Sequence, residues 1–335
     1  MLLRHRYVVL GRVSWNDRQG QRKNSPVQCR FLPRSPMLLR RQLRKADLLF
    51  HYPAAMLRRR PHDAPFNRLR EQSRWLSRYA SNVTSQCGED GIIAKALSRL
   101  SENTSWCVEF GAWDGKLYSN TYNLVKSQNY NGVFIEADPV RFRDLERTHG
   151  GSGRNVLLNA LVGFSKSDCL DVLLSQYDII PKKFDLLSID IDGNDYYVWE
   201  AFEEYRPKLV VIEFNPTLSN SMLFVQEKDH GITQGSSPAS LVELARRKDY
   251  ELIAVTAWNL LFVSSEHFEA FGIPDNSLPL MRDDSDVPHI FVGYDGHVFL
   301  SQASALGSIT LPWHGIELKE ADVQALPKHL QKYPG

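Results

Sequence analysis

The sequence predicts an α/β fold built on a mostly parallel sheet, and three observations predict it. From about Ser85 onward, apolar runs of five to eight residues alternate with helix-like segments, which is the pattern of βαβ units. Two of the runs, FDLLSIDI (184–191) and KLVVIEF (208–214), are too apolar for strands with one wet face, so they are expected to be central and parallel. The last two runs, 251–256 and 260–264, are joined by too few residues for a crossover and must pair antiparallel.

The elements follow in order. Residues 89–100 read as a helix, with Glu89 and Asp90 in its first turn facing the positive end of the helix dipole. SWCVEF (105–110) is a short strand that stops at Gly111, and 119–128 is a helix. GVFIEA (132–137) is a strand, followed by a helix over 139–148 that Pro139 is well placed to start. A strand over 156–161 and a short helix over 167–175 lead into the strand 184–191, the helix 195–205 and the strand 208–214. The helix 237–248 precedes the closing antiparallel pair. Residues 289–299 form an appended hairpin, turned at Asp295-Gly296. Beyond it come a last strand or loop and a short helix near 321–330. At the other end, residues 1–80 are rich in Arg and interrupted by proline, with short basic helices expected over 37–49 and 67–79. The domain organisation expected is a basic, partly disordered extension (1–75), a catalytic domain (76–275) and a C-terminal hairpin and helix packed on it (276–335).

Composition narrows the class. Of 335 residues 43% are hydrophobic and 24% charged, close to the globular average, so the bulk is neither disordered nor fibrous. The net charge of +1 hides an asymmetry: residues 1–60 hold 15 Lys and Arg against two acids, leaving 25 bases against 37 acids in the rest. No run reaches the length of a membrane span; the longest uncharged one, 252–265, is too short. Cys29, Cys87, Cys107 and Cys169 are scattered, without a CxxC pair, which suits a reducing compartment; a cytoplasmic location is expected. The N-terminus lacks a signal-peptide core.

In an open parallel sheet ligands bind beyond the carboxyl ends of the strands, so the residues there matter most. The first strand ends Glu109-Phe110-Gly111-Ala112-Trp113-Asp114-Gly115, an E-x-G-x-x-x-G pattern. Glycines at such a turn let a ligand approach the backbone. The spacing differs from the G-x-G-x-x-G dinucleotide fingerprint, which disfavours a pyrophosphate cradle and a nucleotide-dependent oxidoreductase. The second strand ends at Glu136, 21 residues after Gly115, a distance that suits a carboxylate on ribose hydroxyls. Turn and acid together favour a nucleoside ligand.

The segments CVEFGAWDGKLYSNTYNLV, GVFIEADP, FDLLSIDIDGND and KLVVIEFNP together resemble the FkbM-type family of S-adenosylmethionine-dependent methyltransferases. SQCGEDGI upstream and TQGSSPASLVELARRKDYELIAVT downstream fit the same family, so the resemblance spans roughly 85–274 and leaves 1–75 outside. It implies a Rossmann-like class I methyltransferase fold, with a seven-stranded, mostly parallel sheet and a reversed edge strand. It also implies S-adenosylmethionine as cofactor and O-methylation of a small-molecule or glycan hydroxyl. By the same resemblance Glu109, Gly111 and Gly115 match the first cofactor motif, with Asp114 in the same turn. Glu136 matches the ribose-binding acid. Asn159 to Leu161, with Ala160 between them, lie where the adenine edge is read, and Gln86 and Glu89 approach the cofactor from the preceding segment. Asp190 matches the acid at the end of the fourth strand. Many relatives carry a Lys before that acid and an acid–Gly–His/Glu run after it; here the run is Ser188-Ile189-Asp190-Ile191-Asp192-Gly193-Asn194-Asp195.

Methyl transfer from a sulfonium is an in-line displacement in which alignment supplies much of the rate. An alcohol acceptor also needs its proton removed, by a base or by a metal that lowers its pKa. Asp190, Asp192 and the loop residue His230 are the candidate catalytic groups. If the strand persists that far, alternation points Asp190 and Asp192 to opposite faces, so that one serves the site while the other caps the next helix; Asp192 or Asn194 is the candidate cap. DIDGND fails the calcium-loop pattern, because Gly193 falls at position four and Ala201 at position twelve. A magnesium site from Asp190 or Asp192 with Glu213 and Asn215 is geometrically possible. Trp113, Tyr118 and Trp258 line the pocket or pack in the core, and Cys107 is expected to be a small core residue.

Two further functions compete. One is a binding or trafficking module that keeps the fold without turnover. The other is RNA methylation, suggested by the basic arm; the acidic balance of the rest argues against a nucleic-acid partner. Residues 1–60 themselves read as an organelle transit peptide, as a membrane-surface or partner-binding arm, or as an over-called start before Met37 or Met56.

Overall fold

The structure, a computed structural model, describes residues 64–284, Val287 and the backbone of four short strands near the C-terminus. Its main sheet has seven strands: β1 (Trp106–Phe110), β2 (Asn131–Glu136), β3 (Val156–Asn159), β4 (Lys183–Ile189), β5 (Arg206–Glu213), β6 (Tyr250–Val255) and β7 (Asn259–Ser264). Their order is β3-β2-β1-β4-β5-β7-β6. β7 runs antiparallel to both its neighbours and all the other pairs are parallel. Each predicted strand forms within two residues of its expected limits. This is the class I, Rossmann-like methyltransferase fold with its reversed strand inserted beside the edge.

Helices cover both faces: α1 (Ala64–Ser73), α2 (Glu89–Leu97), α3 (Tyr122–Ser127), α4 (Pro139–His149), α5 (Leu170–Ser175), α6 (Asp195–Ala201), α7 (Pro238–Arg247) and the single turn α8 (Leu278–Met281). The apolar runs are continuous because both faces are buried. In β4, Leu187 and Ile189 join Trp199 and Leu241 on one side, while Leu186 joins Ile93 and Leu145 on the other. At the amino edge of the sheet the buried Asp185 accepts from the Thr104 and Ser105 backbone N–H groups and pairs with Lys208 Nζ at 3.2 Å.

Four helices, α2, α3, α5 and α6, are at least three residues shorter than the sequence suggests, and side-chain hydrogen bonds account for α5 and α6. Asp171 accepts from the backbone N–H groups of Glu203 and Glu204, which pulls the chain out of α6. Asp168 accepts from Ser165 N–H and Oγ, which delays the start of α5. Upstream of the sheet, α1 and a following 3₁₀ turn (Trp75–Tyr79) belong to the same compact unit: Leu76 is fully buried and Trp75 Nε1 donates to Phe271 O at 2.9 Å.

Two small antiparallel pairs follow the sheet, Ile290–Val292 with Val298–Leu300 and Ser308–Leu311 with Ile316–Lys319. The first matches the expected hairpin; the second is a pair where a strand or loop was expected. The expected helices over 37–49 and 321–330, the Asp295-Gly296 turn and residues 1–60 lie outside the described residues. Among the described residues, no helix is long and apolar enough to cross a membrane.

Candidate active site

A cleft of about 310 Å³ opens at the carboxyl ends of β1, β2, β4 and β5. Its walls include Gln86, Glu109, Gly111, Glu136, Ala160 and Asp190, all expected near a nucleoside ligand. Asp192 and Glu213, read from the sequence as catalytic or metal-binding groups, also face it.

The β1 turn is fixed from below. Gly111 has φ +72°, and a Cβ built on it would stand 1.6 Å from Asp190 O. Glycine is therefore required by close backbone packing against the end of β4 as well as by the left-handed conformation. Trp113 and Tyr118 in the same segment hold positive φ (49° and 60°) although neither is glycine. Strain of this kind persists where the surroundings over-determine it. Here Glu136 supplies one restraint: its Oε2 accepts from Trp113 N–H at 2.8 Å and its Oε1 from Asp138 N–H at 2.7 Å. Each oxygen keeps a second lone pair. Arg141 stacks 4.0 Å from the Trp113 ring centroid and forms, with it, part of the cleft wall. Leu161, expected with Ala160 at the adenine edge, does line the cleft, whereas Arg141 was not singled out by the sequence, because α4 carries no local signal that turns it toward the cleft.

Glu109 is buried beneath the turn. Its carboxyl group accepts from Ser119 Oγ (2.6 Å), Asn120 N–H (2.8 Å) and Thr121 Oγ (2.8 Å). Burial pushes its pKa up, against the pull of those three bonds. The same bonds hold 119–121 out of helix, so α3 begins at Tyr122.

Strand β4 ends at Ile189, and Asp192 has φ +56°. The alternation expected to send Asp190 and Asp192 to opposite faces therefore stops before it applies. Both carboxylates turn to one place and, with Glu213 from β5, present oxygens within 4.8 Å of one another. Burial first pushes both Asp190 and Glu213 upward, followed by repulsion from Asp195 and Asp192 for Asp190 and from Asp190 for Glu213. The two are hydrogen-bonded, and the bond favours Glu213 as the protonated donor and Asp190 as the acceptor. Glu213 Oε2 is buried and has no hydrogen-bond partner among the described residues. The cap role expected of Asp192 or Asn194 falls to Asp195, which accepts from Ile191 N–H (3.0 Å) and Gly193 N–H (2.9 Å). Asn194 donates instead to Asp229 O.

Other expected site residues stand elsewhere. Asp114 caps its own turn, accepting from Lys116 and Leu117 N–H. Gly115 packs away from the cleft, where a Cβ would meet Leu145 and His149. Glu89 ties α2 to the β6–β7 turn through Thr256 Oγ and Asn259 Nδ2. Asn215 spends its Oδ1 on Thr217 N–H and Oγ and its Nδ2 on Gln234 O, so it shapes the loop after β5 and has no oxygen turned to the acid cluster. His230 stacks on Phe164 at 4.6 Å and does not line the cleft. Trp258 does not line it either, while Trp113 and Tyr118 do.

No family model matches this chain, and no curated protein matches it in sequence. Among solved structures, the citrinin polyketide synthase CMeT domain is similar at 10% identity and TM-score 0.36, covering 52% of this chain and 51% of that one. The SAM-dependent methyltransferase from Aquifex aeolicus is similar at 9% identity and TM-score 0.33, covering 51% and 87%. The CcbJ methyltransferase from Streptomyces caelestis is similar at 11% identity and TM-score 0.34, covering 58% and 97%. The match spans about half the length of the citrinin synthase domain.

Proposed function

We propose that this chain is an S-adenosylmethionine-dependent methyltransferase acting on a hydroxyl of a small molecule or glycan. The observation that carries the reading is the acidic lining of the cleft: five carboxyl groups, of which Glu213 holds its proton, and one guanidinium surround it. Such a wall attracts a sulfonium and repels a pyrophosphate. Glu136, with a free lone pair on each oxygen, suits ribose hydroxyls, and Gly111 lines the cleft beside it. The FkbM-type resemblance supports the same cofactor.

Bound S-adenosylmethionine would supply the activated methyl group. The chain's own work is alignment and proton removal. Asp190, raised to about 8, ionises as pH climbs through that value and then, accepting the Glu213 proton, is placed to take the proton of an acceptor hydroxyl. Exposed Trp113, Leu117 and Tyr118 give the mouth of the cleft an apolar rim for the acceptor's uncharged parts.

A second reading rests on the buried, unpartnered Glu213 Oε2: a divalent cation, rather than a proton, joins Asp190, Asp192 and Glu213 and lowers the acceptor pKa. Activity that survives exhaustive chelation sets this reading aside.

Calorimetry with S-adenosylmethionine and with NAD tests the main proposal. The expected result is binding of the first only, lost in Glu136→Ala. Binding of NAD alone overturns it. Binding of S-adenosylmethionine with no transfer to any hydroxyl acceptor favours instead a module that keeps the fold without turnover.

A further inference from the structure

A second cavity, of about 210 Å³, lies on the same edge of the sheet as the cleft. Val255, the last residue of β6, lines it with Thr256, Ala257, Arg74, Met281, Arg282 and Asp283. β5 and β6 are both antiparallel to β7, so both end on this edge. The two sites are joined through the strands: Glu213 pairs in register with Asn259 of β7, and Arg282 stacks over Phe214, the residue after Glu213.

Three guanidinium groups meet at this cavity or beside it. Arg70, which does not line it, pairs through Nη2 with Asp283 at 2.8 Å and has a buried Nε with no hydrogen-bond partner among the described residues. Arg282 donates to Pro216 O, Leu218 O and Asn220 Oδ1, which fixes the loop after β5. Arg74 donates through Nε to Leu280 O at 2.7 Å, but its Nη2 is buried with no hydrogen-bond partner among the described residues. Burial, then repulsion from Arg70, lowers its pKa to about 10. A buried cationic N–H without an acceptor is costly, and an oxyanion is the partner that relieves it best.

Resting on the methyltransferase reading above, we infer that this cavity is an acceptor subsite in which Arg74 binds a carboxylate of an acidic sugar substrate. Asp283 in the same wall sets the charge: one carboxylate beside one unspent guanidinium N–H suits a singly charged group better than a dianionic phosphate ester. The distance sets the size. Two inter-strand spacings separate the end of β6 from that of β5 and three from that of β4, so the carboxylate lies roughly 10–14 Å from a hydroxyl held at Asp190 and Glu213. That reach matches two adjoining sugar rings.

The test is ligand-observed NMR on the full chain with glucuronate, glucose and glucose 6-phosphate. Glucuronate is expected to bind at least about tenfold more tightly than glucose, and Arg74→Gln to abolish the difference while S-adenosylmethionine binding stays unchanged. Arg74→Lys keeps the charge and is expected to retain part of the preference. Equal binding of glucuronate and glucose to the unmodified protein overturns the inference, with no variant needed. So does a preference that persists in Arg74→Gln, or tighter binding of glucose 6-phosphate than of glucuronate. An Arg74-dependent preference in a protein that fails to bind S-adenosylmethionine sinks the methyltransferase reading and leaves the anion site standing.

Discussion

The Asp190 carbonyl oxygen sits 1.6 Å from the place a Cβ on Gly111 would occupy. The turn after β1 and the loop after β4 are thus in backbone contact, and the ligand turn is braced by the strand end that carries the candidate base. Gly111→Ala must both adopt a left-handed φ and push the β4 end away. It is expected to cost at least about 2 kcal/mol of stability and to lose nucleoside binding. Thermal unfolding and calorimetry check this, and an unchanged melting temperature with normal binding contradicts the packing.

His149 is the neighbouring brace. It is fully buried, its Nε2 lies 2.7 Å from Gly115 O, and its ring stacks on Phe134. Burial lowers its pKa below the usual 6.5. The unfolded chain therefore takes up this proton first as pH falls. The stability His149 contributes is present above pH 6.5 and declines as pH drops toward its lowered folded value. Melting temperatures of the native protein and of His149→Phe, compared from about pH 8 to pH 5, should show that slope in the native protein alone. Equal slopes refute it.

How much of this was legible in sequence follows from how far each signal reaches. The strands were legible because β4 and β5 are apolar on both faces, and Glu136 because its strand end is a local feature. The turn glycines were legible as a pair, but not their separate reasons: only the fold shows Gly111 against Asp190 and Gly115 against Leu145 and His149. Convergence of Asp190 and Asp192 was hidden because strand periodicity is no guide once the strand has ended and φ turns positive. Arg74 was hidden altogether, since its contact with Leu280 spans 206 positions.

The acid pair carries a stability cost. Glu213 has a raised pKa, so the folded state keeps a proton that the unfolded state releases above about 4.5. Stability therefore falls as pH rises through that range, and Glu213→Gln, which needs no proton, escapes the penalty. The variant is expected to be more stable than the native protein by about 1–3 kcal/mol at pH 8, with the gain vanishing near pH 4. Denaturant titrations at the two pH values measure it. A destabilised variant at pH 8 would mean that Glu213 is ionised and paired, as a bound cation would require.

Asp190→Asn separates binding from chemistry. The main-chain contact with Gly111 does not involve the side chain, so the turn and the cofactor cleft should stay in place. The amide is close in shape to the carboxyl group, removes one charge from the cluster and relieves part of the repulsion that raises Glu213. It cannot accept a proton from an acceptor hydroxyl at neutral pH. Binding of S-adenosylmethionine is thus expected to change less than about threefold, while single-turnover transfer drops by about a hundredfold or more. If transfer depends on Asp190 as the base, the residual rate should also lose the acidic limb of its pH profile. Unchanged single-turnover rates with an unchanged pH profile would remove Asp190 from the proton transfer and leave Asp192, on the exposed side of the same cluster, as the base.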